Sequence, residues 1–140
     1  MSRDIELGIE IEAEPKVVFD RVATASGVAS FWTSDVQGDD DAFTLGFPGA
    51  PSRLATRVTR SDPAAAIEWA FTSDWPFWDG SVGAWSFETG QHGTRVVFRH
   101  LNYGEGMPDF EFGRVALTWA TVLQALERVV ETGTPNPALG

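Results

Sequence analysis

Residues 110–131, FEFGRVALTWATVLQALERVVE, form the longest periodic stretch of the chain. Apolar residues recur there at three- and four-residue steps, which predicts one helix with a broad apolar stripe. The stripe consists of Val115, Ala116, Trp119, Val122, Leu123, Leu126, Val129 and Val130. Asp109 is predicted to cap the helix, and Gly133 followed by Pro135 to end it. Since the preceding chain consists mostly of predicted strands, we expect this stripe to lie across a sheet.

The first part of the chain predicts one strand and two short helices. Apolar residues at positions 5, 7, 9 and 11 alternate with acidic residues and one glycine, as in a half-buried strand. Pro15 suits the first position of a helix that continues to about residue 23. Ser26 is predicted to cap a second helix, which leaves Phe31 and Trp32 to close one end of the core.

The middle of the chain alternates strand patterns with turn residues, which predicts antiparallel hairpins. The predicted strands are residues 34–37, 42–47, 52–61, 65–71, 81–89 and 94–101. Together with the first strand they make a sheet of about seven strands, and hence an α+β fold. Alternation places Trp69, Phe98 and His100 on inward faces, with Glu68 and Arg99 facing outward.

Length and composition limit the classes of function. A chain of 140 residues fits a single domain over residues 1–140, with residues 134–140 as a loose tail. Cysteine is absent and the net charge is -10, which excludes disulfides and argues against nucleic acid or an anionic membrane as a partner. No signal peptide or run of about 18 apolar residues is visible, so we expect a cytoplasmic protein.

Several stretches together resemble the START-like (SRPBCC) superfamily, most closely its Hsp90-ATPase-activator-homologue (AHSA1-like) branch. They are IEIEAEP at 9–15, VVF at 17–19, FW at 31–32, VTRSDP at 58–63, IEW at 67–69, GTRVVFRH at 93–100, and Trp119, Leu123 and Leu126 before ETG at 131–133. Each stretch is degenerate alone, but their order and spacing cover nearly the whole chain. The resemblance implies a helix-grip fold (β-α-α-β6-α): a curved antiparallel sheet wrapped around a long C-terminal helix, with a hydrophobic cavity between them.

The chain has six tryptophans and ten phenylalanines, and aromatic residues in such number either fill a core or line a pocket. Residues 73–80 hold three aromatics in a turn-rich loop, which favours a pocket lid or an interface. We therefore predict a ligand site entered near Trp32 and this loop. The candidate ligand-binding residues are Trp32, Trp69, Phe71, Trp75, Trp78, Trp85, Phe87, Phe98, His100, Trp119 and Leu123.

His100 is a weak catalytic candidate, because an inward imidazole can transfer protons near neutral pH but can equally be a core histidine with satisfied hydrogen bonds. His92 lies in a turn and is expected to be solvated. The run Asp39-Asp40-Asp41 lacks the spacing of a calcium loop. Neither a metal nor a cofactor is predicted.

The leading functional hypothesis is binding of a small hydrophobic or aromatic ligand between the sheet and the last helix, without identified catalysis. One alternative is a cyclase- or dehydratase-like enzyme acting on a polyketide-like aromatic, in which His100 works with Glu68 or Asp74. The other is a protein-interaction domain resembling the chaperone co-factor, or a homodimer, that uses the aromatic loop. Fold alone does not choose among them.

Overall fold

The computed structural model describes residues 3–140, which form three helices and seven strands. The helices are α1 (Pro15–Val22), α2 (Ala25–Phe31) and α3 (Asp109–Thr132). The strands are β1 (Arg3–Ile11), β2 (Asp35–Gly38), β3 (Ala42–Gly46), β4 (Leu54–Asp62), β5 (Ala66–Thr72), β6 (Val82–Thr89) and β7 (Thr94–Tyr103). No helix within these residues is long and apolar enough to cross a membrane.

The strands form one antiparallel sheet in the order β1-β7-β6-β5-β4-β3-β2. This curved sheet with its long C-terminal helix confirms the predicted α+β helix-grip fold. Trp69 and Phe98 are buried on its inner face, whereas Glu68 faces outward and pairs with Arg60 on β4. β4 begins at Leu54, two residues later than predicted, and its register with β5 shifts after Val58.

Helix α3 follows the predicted stripe, because Trp119, Val122, Leu123, Leu126 and Val129 are all buried. Its C-terminal end is also as predicted: Gly133 adopts φ 74°, and its N–H donates to the Val129 carbonyl at 2.8 Å. The predicted N-terminal cap is wrong. Pro108 occupies the cap position, and the Asp109 carboxylate instead accepts a hydrogen bond from Arg3 at 2.8 Å.

Helix α2 is capped by Thr24 and not by Ser26, since the Thr24 hydroxyl accepts a hydrogen bond from the Gly27 N–H at 3.0 Å. Gly27 lets α1 and α2 approach closely, because a Cβ there would lie 2.0 Å from the Arg21 carbonyl oxygen. The helix pair thereby delivers Trp32 into the core, where it is 2% exposed.

The C-terminal segment, residues 134–140, differs from the loose tail that was expected. Backbone N–H groups of Asn136, Ala138 and Leu139 donate to carbonyls at the end of α2, each at 2.9 Å. The last of these acceptors is the Trp32 carbonyl. These carbonyls at the end of α2 lack partners within the helix, so the segment satisfies them and is held there.

Candidate functional site

An aromatic pocket of about 300 Å³ lies between α3, the end of α2, two loops that connect strands, and the C-terminal segment. Its lining residues are Trp32, Phe47, Pro48, Trp75, Trp78, Val115, Thr118, Trp119, Val122 and Leu139. Within this lining no side chain carries a charge, and the Thr118 hydroxyl donates to the Arg114 carbonyl at 3.0 Å. The pocket therefore offers mostly apolar and aromatic surface.

Helix α3 supplies one wall of the pocket through a single helical face. Val115, Thr118, Trp119 and Val122 are spaced by three or four residues, so their side chains lie above one another. Leu139 adds to the wall because the C-terminal segment is hydrogen-bonded to the Trp32 carbonyl. Two distant parts of the sequence thus complete one surface.

Five aromatic rings around the pocket contact one another in a closed circuit. The centroid distances are 5.7 Å for Trp32–Phe47, 5.7 Å for Phe47–Trp75, 5.6 Å for Trp75–Trp78, 6.2 Å for Trp78–Trp119 and 4.9 Å for Trp119–Trp32. These distances lie in the favourable range for aromatic pairs. Since each ring is held by two neighbours, the shape of the pocket is fixed by packing within the protein.

Trp75 in the aromatic loop, residues 73–80, is fixed by a chain of hydrogen bonds. Its Nε1–H donates to Ser52 Oγ at 2.9 Å, and the Ser52 hydroxyl donates to the Asp74 carboxylate at 2.5 Å. The loop also contains Phe77, which is 41% exposed and has a φ of 73°. A bulky residue with a left-handed backbone is uncommon and costs conformational energy.

His100 lies in the core behind the pocket wall. Its Nδ1 accepts a hydrogen bond from Trp119 Nε1 at 3.2 Å, and its Nε2 lies 2.9 Å from Ser81 Oγ. The Ser81 hydroxyl donates to the Trp78 carbonyl at 2.6 Å, so Ser81 Oγ accepts the Nε2 proton. Both ring nitrogens therefore have partners in the neutral tautomer with hydrogen on Nε2.

Burial lowers the pKa of His100 to about 3, because a charged imidazolium would lose its hydration in the core. Tyr103 stacks on the His100 ring at 4.0 Å, and burial raises the pKa of this tyrosine to about 12. Both side chains are therefore uncharged at neutral pH. His100 therefore helps to hold the Trp119 ring in place and offers no proton donor to the pocket.

Among the residues predicted from sequence, Trp32, Trp75, Trp78 and Trp119 are brought together around the pocket. The others lie in the packed core outside its lining: Trp69, Phe71, Trp85, Phe87, Phe98, His100 and Leu123. The Phe98 ring contacts Trp119 at 4.1 Å and Trp85 at 4.7 Å between centroids, so it backs the wall from behind.

Six lining residues were not among the predicted ligand-binding residues: Phe47, Pro48, Val115, Thr118, Val122 and Leu139. Val115 and Val122 belong to the α3 stripe. Their burial was therefore predicted, but their position in the pocket lining was not. Thr118 interrupts the apolar pattern and gave no signal. Leu139 lies in the segment expected to be loose, and only its backbone pairing with α2 brings it to the site.

The described residues, 3–140, contain no group of three or more His, Asp or Glu side chains that could hold a metal ion. Two of the three acidic side chains at 39–41 instead accept hydrogen bonds from backbone N–H groups. Asp39 accepts hydrogen bonds from the N–H groups of Asp41 and Ala42, both at 2.9 Å, and Asp40 accepts one from Ala25 at 2.8 Å.

The fold is that of a helix-grip protein, and comparison with known families agrees. The family model "Polyketide cyclase / dehydrase and lipid transport" matches residues 2–133. The chain belongs to this family, which supports the predicted START-like resemblance, and its similarity to a solved Aha1 structure supports the resemblance to the AHSA1-like branch. No curated protein matches the chain significantly.

Solved structures show the same architecture. The Aha1 dimer from Colwellia psychrerythraea is similar at a TM-score of 0.80 and 26% identity, over 94% of this chain and 98% of that one. Protein MLL2253 from Mesorhizobium loti has a TM-score of 0.78 at 12% identity, with 92% and 97% covered. DynU16, a putative protein in the dynemicin biosynthetic locus, has a TM-score of 0.76 at 17% identity, and all of this chain matches 51% of it.

Proposed function

We propose that residues 1–140 act as one ligand-binding domain that takes a small, mostly apolar molecule into the aromatic pocket. The observation that carries this proposal is the pocket itself, about 300 Å³ in volume and walled by four of the six tryptophans. Transfer of apolar ligand surface from water to such walls supplies most of the affinity. The family description, which includes lipid transport, supports the same class of function.

The pocket volume favours a compact ligand. Ligand pockets in proteins commonly span about 300–1,000 Å³, so this pocket lies at the small end. A long acyl chain would exceed it. A compact aromatic of one to three rings, or a branched apolar group, would fill it without displacing the five interlocked side chains.

Binding is a better account than acid-base catalysis at this site. A catalytic proton donor must come within hydrogen-bond reach of the reacting atom, but the lining contains no titratable side chain. The weak candidate His100 uses both ring nitrogens within the core. Its proposed partner Glu68 lies on the opposite face of the sheet, and Asp74 is bonded to Ser52.

A fluorescent neutral aromatic, N-phenyl-1-naphthylamine, provides the test. We expect saturable binding with increased probe emission, and at least a tenfold loss of affinity in Val115→Phe, whose added ring occupies the pocket. The matched control is Leu117→Phe, on the same helix but at a position that is 69% exposed and outside the lining. Absence of saturable binding to the wild type, or equal affinities for the two variants, contradicts the proposal.

Formation of a homodimer is a second candidate function, and one exposed residue supports it. Phe77 projects from the aromatic loop with 41% exposure, and a structural neighbour at 26% identity is described as a dimer. Apolar side chains that are exposed on a loop are typical of protein–protein contact surfaces. Sedimentation velocity over a wide range of concentrations should show a dimer that Phe77→Ser dissociates, whereas a monomer at every concentration removes this candidate.

A further inference from the structure

We infer that the pocket prefers a ligand carrying a compact organic cation without N–H groups, such as a trimethylammonium group. This inference rests on the proposed binding function and specifies its ligand class. The structural basis is a closed circuit of four indoles and one phenyl ring, which surrounds a pocket whose lining has no charged group.

The first argument concerns the ring systems. The face of an aromatic ring carries negative potential, indole attracts cations more strongly than phenol or benzene, and recognition of quaternary ammonium groups uses such clusters. A small cation in this pocket lies against several rings at once, because all five border the same space. None of the ten basic side chains lines the pocket to repel it.

The second argument concerns the hydrogen bonds made by the indole N–H groups. Trp75 donates through Ser52 to the Asp74 carboxylate, and Trp119 donates to the lone pair on His100 Nδ1. A hydrogen bond from an indole N–H polarises the ring toward greater electron density, and a carboxylate at the end of the chain strengthens this effect. Both rings are therefore made better partners for a cation while being held in place.

The third argument separates a quaternary ammonium from a primary one. A primary ammonium has three N–H donors that require acceptors once it leaves water. Among the pocket side chains only the Thr118 hydroxyl, whose own proton is donated to the Arg114 carbonyl, can accept such a hydrogen bond, so one acceptor faces three donors. A trimethylammonium group has no such donors, and its methyl groups suit an apolar wall. The net charge of -10 further favours the arrival of cations.

The test compares three probes by isothermal titration calorimetry: choline, its neutral isostere 3,3-dimethyl-1-butanol, and ethanolamine. The first two share a shape and differ in charge, and the third keeps the charge with N–H donors in place of methyl groups. We expect choline to bind at least tenfold more tightly than either. In Trp75→Leu and in Phe47→Leu, both half-buried positions, the ratio of choline to isostere affinity should fall severalfold.

Equal or tighter binding of the neutral isostere, no binding of choline, or an unchanged ratio in both variants would overturn the inference. The N-phenyl-1-naphthylamine titration then decides the fate of the proposed function separately. Saturable binding of that neutral probe leaves an apolar ligand pocket without cation selectivity. Absence of binding by every probe removes both the cation preference and the ligand-binding function.

Discussion

At the scale of single residues, the polar contacts of His100 separate what sequence can predict from what it cannot. Alternation along β7 predicted that His100 points inward, and it is fully buried. Its hydrogen-bond partners come from elsewhere: Ser81 from the residue before β6, and Trp119 from α3. Because these partners are distant in sequence, the choice between a catalytic and a core histidine required three-dimensional information.

The lowered pKa of His100 predicts a pH-dependent free energy of unfolding. An unfolded histidine binds a proton below about pH 6.5, whereas the folded His100 stays neutral until about pH 3. Its contribution to stability is therefore complete above the unfolded pKa and is lost as pH falls through this window. Once the unfolded histidine is protonated, the loss approaches about 1.4 kcal/mol per pH unit.

Urea unfolding of the wild type and two variants between pH 8 and pH 5 measures this dependence. His100→Gln should flatten the dependence, while His92→Gln, at an exposed turn position, should leave it unchanged. The neighbouring Tyr103 stays neutral throughout, since its pKa is raised to about 12. If His100→Gln kept the pH dependence of the wild type, His100 would not be the source of that dependence.

Trp119 belongs to both the core and the pocket lining and is hydrogen-bonded to His100. Its removal should therefore lower the free energy of unfolding strongly. The side chain is 2% exposed and its ring contacts Trp32, Phe98 and Trp78. We expect Trp119→Ala to lower the free energy of unfolding by about 3–5 kcal/mol. Leu117→Ala, at an exposed position of the same helix, should change it by less than about 0.5 kcal/mol. A loss below about 1 kcal/mol for Trp119→Ala would contradict the observed packing.

At the scale of elements, periodicity predicted helices and strands better than it predicted their ends. The α3 stripe and its glycine stop were recognisable because both are local signals. The caps were not, since Ser26, Thr24 and Asp109 all carry suitable oxygens and only backbone geometry decides which of them accepts an amide proton. The pairing of the C-terminal segment with α2 is likewise invisible in sequence, because it uses backbone groups of residues about a hundred positions apart.

The corrected α2 cap leads to a prediction for two neighbouring hydroxyl residues. Thr24→Ala removes the acceptor of the Gly27 N–H and should destabilise the protein by about 0.5–2 kcal/mol. Ser26→Ala removes an exposed hydroxyl that makes no such cap and should be nearly neutral. Chemical denaturation of both variants measures the difference, and the reverse order of stabilities would restore Ser26 as the cap.

At the scale of the whole molecule, the order of elements and the inward aromatic faces made the helix-grip fold predictable. The position of the pocket was less predictable. Its rings come from the end of α2, the residue after β3, the aromatic loop and α3, and whether their packing leaves a space depends on side-chain directions. The same kinds of residue, tryptophan and phenylalanine, fill the core next to it, so residue type alone does not distinguish wall from filling.

The most direct test of ligand binding at this pocket is a two-dimensional ¹H–¹⁵N NMR titration that follows the indole N–H signals of the six tryptophans. Four of these side chains line the pocket, while Trp85 is buried outside its lining and acts as an internal reference. Trp69 is also outside the lining, but its ring stacks on Trp32 at 5.8 Å, so a smaller shift is expected for it. Saturation with N-phenyl-1-naphthylamine should shift the signals of Trp32, Trp75, Trp78 and Trp119 most and leave that of Trp85 almost unmoved. Six unmoved signals, or a shift largest at Trp85, would contradict ligand binding at this site.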